Sequence, residues 1–190
     1  MPQDAFSFLA SRQSHPAKLF KGPVPNRDAL LTILAAATRV PDHGKLEPWR
    51  LMVLEKPAMA RLADLAEARA RELGGDDEKI AKGRGQYDLG QLAVVVISSP
   101  KASEKIPLAE QLLSAGALCL GVVNAAEAAG WGANWLSGWP SHDAAFVAQA
   151  FGCTGAETVA GIIHIGTRPA AAVPDRPRPD LARLITWAEA

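Results

Sequence analysis

From Gln111 to Ala126 the chain carries no charged residue and is rich in Leu, Ala, Val and Gly. A bilayer-spanning helix needs about 20 mostly apolar residues. This run is shorter, is bounded by Glu110 and Glu127, and contains Gln111, Ser114 and Asn124. The pattern predicts a helix from about Leu108 to Ala129, buried on all sides in the core or at a subunit interface.

The surrounding chain mixes helical and strand patterns without the regular alternation of a doubly wound fold, which points to an α+β protein. Asp4 can cap a first helix through about Ala10, with Phe6, Leu9 and Ala10 on one apolar face. Asn26 can cap a second, in which Leu30, Ile33, Leu34 and Ala37 keep helical spacing up to Arg39, and Pro41 stops it. Arg50 to Glu55 reads as a strand, and Pro57 to Leu73 as a helix. Gly74-Gly75-Asp76-Asp77 interrupts, and Glu78 to Gly90, charged and glycine-bearing, is expected to be a mobile excursion. Leu92 to Ser98 is apolar and β-branched, as a central strand requires. Gly130 to Gly138 reads as a strand or extended turn, Ser141 to Phe151 as a helix ended by Gly152, and Glu157 to Gly166 as the last core strand. A proline-rich arm follows from Arg168, with a final short helix near Leu181 to Ala188.

Composition excludes several classes. The 190 residues have zero formal net charge, so no global field draws nucleic acid or an anionic membrane. With 48% hydrophobic and 21% charged residues, the chain is too apolar for disorder. Cys119 and Cys153 lie far apart, show no metal-ligand spacing, and read as buried thiols. No basic segment followed by an apolar core opens the chain, so no signal peptide is expected and a cytoplasmic location is the default. No G-x-G-x-x-G follows a strand, and neither a P-loop nor G-x-S-x-G is present.

The densest chemistry lies in Arg39-Val40-Pro41-Asp42-His43-Gly44-Lys45-Leu46-Glu47-Pro48-Trp49-Arg50, a loop between helix and strand carrying cations, a His, an acid, Pro and Trp. Loops of that kind, leaving a rigid element, tend to be sites. Three ordered blocks carry a resemblance: Ser11-Arg12-Gln13-Ser14; Arg39 to His43 with Glu47-Pro48-Trp49; and Ser114-Ala115-Gly116, Gly132 to Gly138 and Gly166-Thr167. Together they resemble the nitroreductase superfamily of FMN-dependent NAD(P)H oxidoreductases, nearest its minimal, YdjA-like branch. The similarity runs over essentially the whole chain.

The resemblance implies a three-layer α/β/α sandwich over residues 1–190, with a central, mostly antiparallel sheet and residues 168–190 as a C-terminal arm. It implies a homodimer with FMN sites at the interface, and the uncharged helix as dimer-buried surface. It assigns Arg12, Gln13 and Ser14 to the flavin, where a guanidinium fork and a hydroxyl suit phosphate oxygens. Arg39 and His43 correspond to residues reaching the partner's FMN. Trp135, Leu136 and Ser137 match the segment along the isoalloxazine ring, and Ala125, Ala126, Glu127, Ala128, Ala129 and Gly130 a segment assigned to NAD(P). Trp49 reads as a core anchor beneath the flavin, and His142 and His164 as structural.

The implied activity is ping-pong reduction of nitroaromatic or quinone-like acceptors, with hydride from NADH or NADPH passing through flavin N5. That agrees with finding no Cys-His, Ser-His-Asp or paired-carboxylate constellation. Three departures stand out: Gln13 replaces a second Arg, Glu47 a Gln, and Leu136 an Arg. Gln13 and Leu136 keep open a degenerate dimeric scaffold with little turnover, and the resemblance, to a superfamily with members recruited away from nitro reduction, keeps open a flavin-binding or storage module.

Overall fold

A computed structural model of the protein describes residues 4–171 and 174–188. Four strands, β1 (Trp49–Glu55), β2 (Leu92–Ser98), β3 (Gly132–Leu136) and β4 (Thr158–Gly166), form one sheet in the order β1-β2-β4-β3. Every neighbouring pair is antiparallel. The run 92–98 is buried along its whole length, as its composition requires. Leu92, Val94 and Val96 enter one apolar cluster, and Ala93, Val95 and Ile97 enter the other.

A strand that is apolar on both sides needs cover on both. On one side lie α2 (Arg27–Ala37), through Leu30, Ile33, Leu34 and Ala37, and α5 (Leu108–Ala128), through Leu118, Val122 and Ala126. On the other lie α3 (Lys56–Glu72), α4 (Asp77–Asp88) and α6 (Ala144–Phe151), through Met59, Ala66, Tyr87, Phe146 and Phe151. The architecture is therefore α+β, a sheet between two helical layers. Helix starts follow the sequence signals: the side chains of Asn26, Asp76 and Asp143 accept from the backbone N–H groups of Ala29, Lys79 and Phe146. Each such cap stabilises by about 1 kcal/mol. Gly152 closes α6 in the left-handed conformation. Cys119 and Cys153 are both buried free thiols, and burial pushes the Cys119 thiol up to about 12.

Several expectations need correction. The stretch 78–90 is no excursion: it forms α4, capped by Asp76, with Gly83 and Tyr87 buried. Its glycines suggested a loop, but a Cβ on Gly83 would lie 2.7 Å from the Trp139 ring, so close packing demands glycine there. The first helix, α1 (Ala5–Ser11), is capped by Asp4 as expected, yet it has no buried residue, and Phe6 and Leu9 face outward. The last helix shrinks to α7 (Leu181–Leu184), followed by extended backbone; residues 189–190 lie outside the described residues.

Helix α5 is long and apolar enough to cross a membrane by length and composition alone. It packs on α2 and on three strands. Its burial is one-sided within a single chain, because Leu108, Leu112, Leu113 and Leu120 are exposed.

Candidate functional site

Helix α1 ends at Arg12, whose extended backbone sends the chain away from the helix axis while its N–H still donates to Phe8 O at 2.8 Å. The loop that follows is tied to the sheet, since Asn134 on β3 donates from Nδ2 to His15 O at 2.7 Å. Over this loop lies the proline-rich arm. Arg178 reaches back from it and donates to Ala10 O at 2.9 Å, with Asp175 beside it at 3.5 Å. Between loop and arm is a cavity of about 250 Å³, lined by Arg12, Gln13, Ser14, Arg176 and Arg178 among others.

Its charge is lopsided. Three guanidinium groups line it against the single carboxylate of Asp175. Among the described residues neither Arg12 nor Arg176 has a carboxylate partner, while Arg12 Nη1 lies 3.5 Å from Ser14 Oγ. Guanidiniums with no carboxylate in ion-pair contact, beside a hydroxyl, suit an anionic group with several acceptor oxygens, such as phosphate.

A second cavity, of about 550 Å³, shares Ser14, Pro16 and Arg176 with the first. Trp135 and Leu136 of β3, Leu89 beyond α4 and Lys18 complete its walls. Apolar side chains with a few polar groups at the edge suit a flat, mostly apolar ring. Trp135 is fixed by its stack on β4, because a Cβ on Gly161 would collide with the indole nitrogen.

The structure thus brings together Arg12, Gln13 and Ser14 in one cavity, with Trp135 and Leu136 in its neighbour. Ser137 stands apart from both, its Oγ 2.9 Å from His142 Nε2. Arg39 is exposed, and His43 Nδ1 lies 2.7 Å from Glu110 Oε2 at the start of α5. Their loop is held in rare backbone conformations, with Lys45 at φ 53° and Glu47 at φ 47°. Asp42 clamps it by accepting from the N–H groups of Leu46 and Glu47. Such strain collects where surrounding structure fixes a functional loop. Trp49 is the expected anchor, donating from Nε1 to Ser114 Oγ at 3.1 Å.

Of the segment from Ala125 to Gly130, only Ala128, Ala129 and Gly130 are exposed. Ala126 and Glu127 are buried, so their side chains belong to the interior. His164 is buried as well, and desolvation lowers its pKa to about 4, which keeps it neutral.

Sequence reasoning missed Arg176, Arg178, Asn134 and the contribution of Gly85 and Leu89. A signal existed for the first two. Arg176-Pro177-Arg178-Pro179 alternates cations with residues of fixed φ, an unusual way to hold charge in a tail. Gly85 and Leu89 were lost with α4.

The cleft thus carries guanidiniums at one end and the side chains of Trp135, Leu136 and Leu89 at the other. The chain belongs to the Nitroreductase family, which it matches over residues 9–167. It is 32% identical over 184 residues to YdjA of Escherichia coli (strain K12), a provisionally named NAD(P)H nitroreductase, covering 97% of this chain and 99% of that one. Among solved structures, a nitroreductase-like family protein from Bacillus cereus superposes with a TM-score of 0.78 at 21% identity, covering 99% of this chain and 97% of that one. The FMN and NADPH-dependent nitroreductase NfnB from Sphigopyxis sp. strain HMH superposes with a TM-score of 0.77 at 18% identity, covering 98% and 100%.

Proposed function

We propose that the protein is an FMN-dependent oxidoreductase that takes reducing equivalents from NADH or NADPH and delivers them to small planar acceptors, nitroaromatics or quinones. The observation that carries this reading is the adjacency of two cavities that share Ser14, Pro16 and Arg176, one lined by three guanidiniums and the other in part by Trp135 and Leu136. When bound, FMN would supply the redox chemistry, accepting a hydride equivalent from a nicotinamide and passing electrons to the acceptor.

The chain's own residues bind and orient. Arg12, Ser14, Arg176 and Arg178 hold the phosphate, with the arm cations replacing the charge that Gln13 lacks. Trp135 and Leu136 would line the ring's side of the cleft, and Leu136 leaves that face apolar. Asn134 keeps the loop carrying Arg12 and Ser14 at a fixed distance from β3. The family relationship, and the NAD(P)H nitroreductase names of its members, support the choice of reductant. Ala128 to Gly130 remain the exposed part of the segment expected to meet the dinucleotide.

The active form is a homodimer in this reading. Phe6, Leu113 and Trp187 are 82%, 73% and 83% exposed, and apolar side chains so placed call for cover. A second copy supplies it and brings Arg39 and His43 toward the neighbouring flavin. The reading places the protein in the cytoplasm, where reduced nicotinamides are available. Purified protein should show flavin absorption or acquire it with added FMN, and NADH or NADPH should bleach that absorption anaerobically. A colourless protein that takes up no FMN overturns the proposal.

A further inference from the structure

Glu127 stands in the last turn of α5, where the outward-pointing carbonyls disfavour a carboxylate, and it is only 4% exposed. A carboxylate so placed is costly unless it is hydrogen-bonded and paired. Burial raises its pKa, opposed by the Ala133 N–H and by Arg168, His15 and Arg12. The contacts show what it holds. Oε1 accepts from Ala133 N at 2.9 Å, which fixes the start of β3, and Oε2 lies 3.4 Å from Arg168 Nη1. Arg168 also donates from Nη2 to the Glu127 carbonyl at 3.3 Å, so one guanidinium grips both the side chain and the helix end.

Arg168 is the residue at which the chain leaves the sheet. Thr167 still bridges Lys21, and its Oγ1 donates to Pro23 O at 2.7 Å. Beyond it, every residue from Pro174 to Ala188 is exposed. The Arg168 stem lies flat over Gly132, where a Cβ would be 2.8 Å from Arg168 Cγ. The arm is thus gripped at its root by Glu127 and again at Arg178, which donates to Ala10 O. Arg176 lies between these points, on the wall shared by both cavities.

We propose that Glu127 and Arg168 are a positioning pair that fixes the root of the C-terminal arm, so that Arg176 and Arg178 face Arg12 across the cavity and select a flavin bearing a phosphate. The inference rests on the FMN reading above. Freeing the root lowers the effective concentration of the two arm cations at the phosphate. Two long side chains that must be re-ordered on binding weaken it by about tenfold.

The test is a fluorescence titration of the full-length protein with FMN and, separately, with riboflavin, which lacks the phosphate. Glu127→Gln keeps an oxygen for the Ala133 N–H but removes the charge. It should raise the Kd for FMN about tenfold and change that for riboflavin less than twofold. Arg168→Ala should do the same, the double variant should be no worse than either single one, and Arg168→Lys should recover most of the loss. Should Glu127→Gln fail to fold, the half-exposed Arg168 carries the test through its Ala and Lys variants. Parallel losses for both flavins, or no loss for either, would overturn the positioning role. If Arg12→Ala abolishes the preference for FMN while the pair variants keep it, the pair proposal fails and the FMN reading stands. Wild-type protein with no preference for FMN over riboflavin would defeat both.

Discussion

In the layer formed by α3, α4 and α6, cations meet carboxylates of the same chain. Arg84 reaches Asp64 and Glu67 at 2.8 Å and Asp88 at 3.0 Å, and Arg69 pairs with Asp143 at 2.9 Å. Around α1, the outer side of α5 and the arm, the balance is different. Phe6, Leu113 and Trp187 are exposed, and among the described residues Arg12, Arg39 and Arg176 make no contact ion pair with a carboxylate. The first region is complete within one polypeptide. The second has apolar surface and positive charge left over, the kinds of group that a second copy and an anionic ligand would satisfy. In the proposed reading the second region supplies the dimer contacts and the phosphate-binding cations, and substitutions there should be separable from those in the ion pairs of the first.

The largest effect is expected at the uncovered helix. Leu113→Asp places a charge on the apolar side of α5, and should convert a dimer to monomers and cut bound FMN by more than tenfold, read by light scattering and flavin absorbance. A dimeric, fully loaded variant would contradict the division. Next comes Arg12→Ala. Hydrogen bonds to charged groups contribute about 1.5–3 kcal/mol, so FMN affinity should fall roughly 10- to 100-fold while the melting temperature holds.

The complementary change is Arg69→Ala in the closed layer, which strips Asp143 of its ion pair at the start of α6. It should lower Tm by roughly 3–6 °C and leave the Kd for FMN unaltered. A loss of flavin affinity there would blur the two regions. The smallest effect is one of pH. Hydrogen bonds from Arg50 hold the Glu157 carboxyl down to about 2, from an ordinary 4.5, against the opposing effect of burial. Its folded pKa is lowered, so its contribution is present above about pH 4.5 and disappears as pH falls toward 2. That contribution is on the order of 1–2 kcal/mol, given the partial exposure of Arg50. Glu157→Gln should flatten the acid limb of a denaturation curve by this amount.

The sheet was legible because β2 carries apolar residues at every position, which only a strand covered on both sides tolerates. Helix α2 was legible because Leu30, Ile33, Leu34 and Ala37 all turn inward. Helix α4 was not, since Gly83 and Gly85 mimic a loop, and the packing of Trp139 against Gly83 is invisible to local pattern. Of the site, Arg12, Ser14, Trp135 and Leu136 could be named from ordered motifs. Arg176 and Arg178 could not, because their arrival at the cleft depends on an arm that folds back over more than a hundred residues of chain. Glu127 looked like part of a small-residue segment, and only its burial shows that it faces Ala133 and Arg168.

The most direct measurement is an equilibrium titration of the purified protein with FMN, followed by flavin fluorescence. The account predicts saturable quenching with one FMN per chain, a Kd in the micromolar range or below, and weaker binding of riboflavin. Unquenched flavin at every protein concentration, or equal affinity for the two flavins, would contradict it.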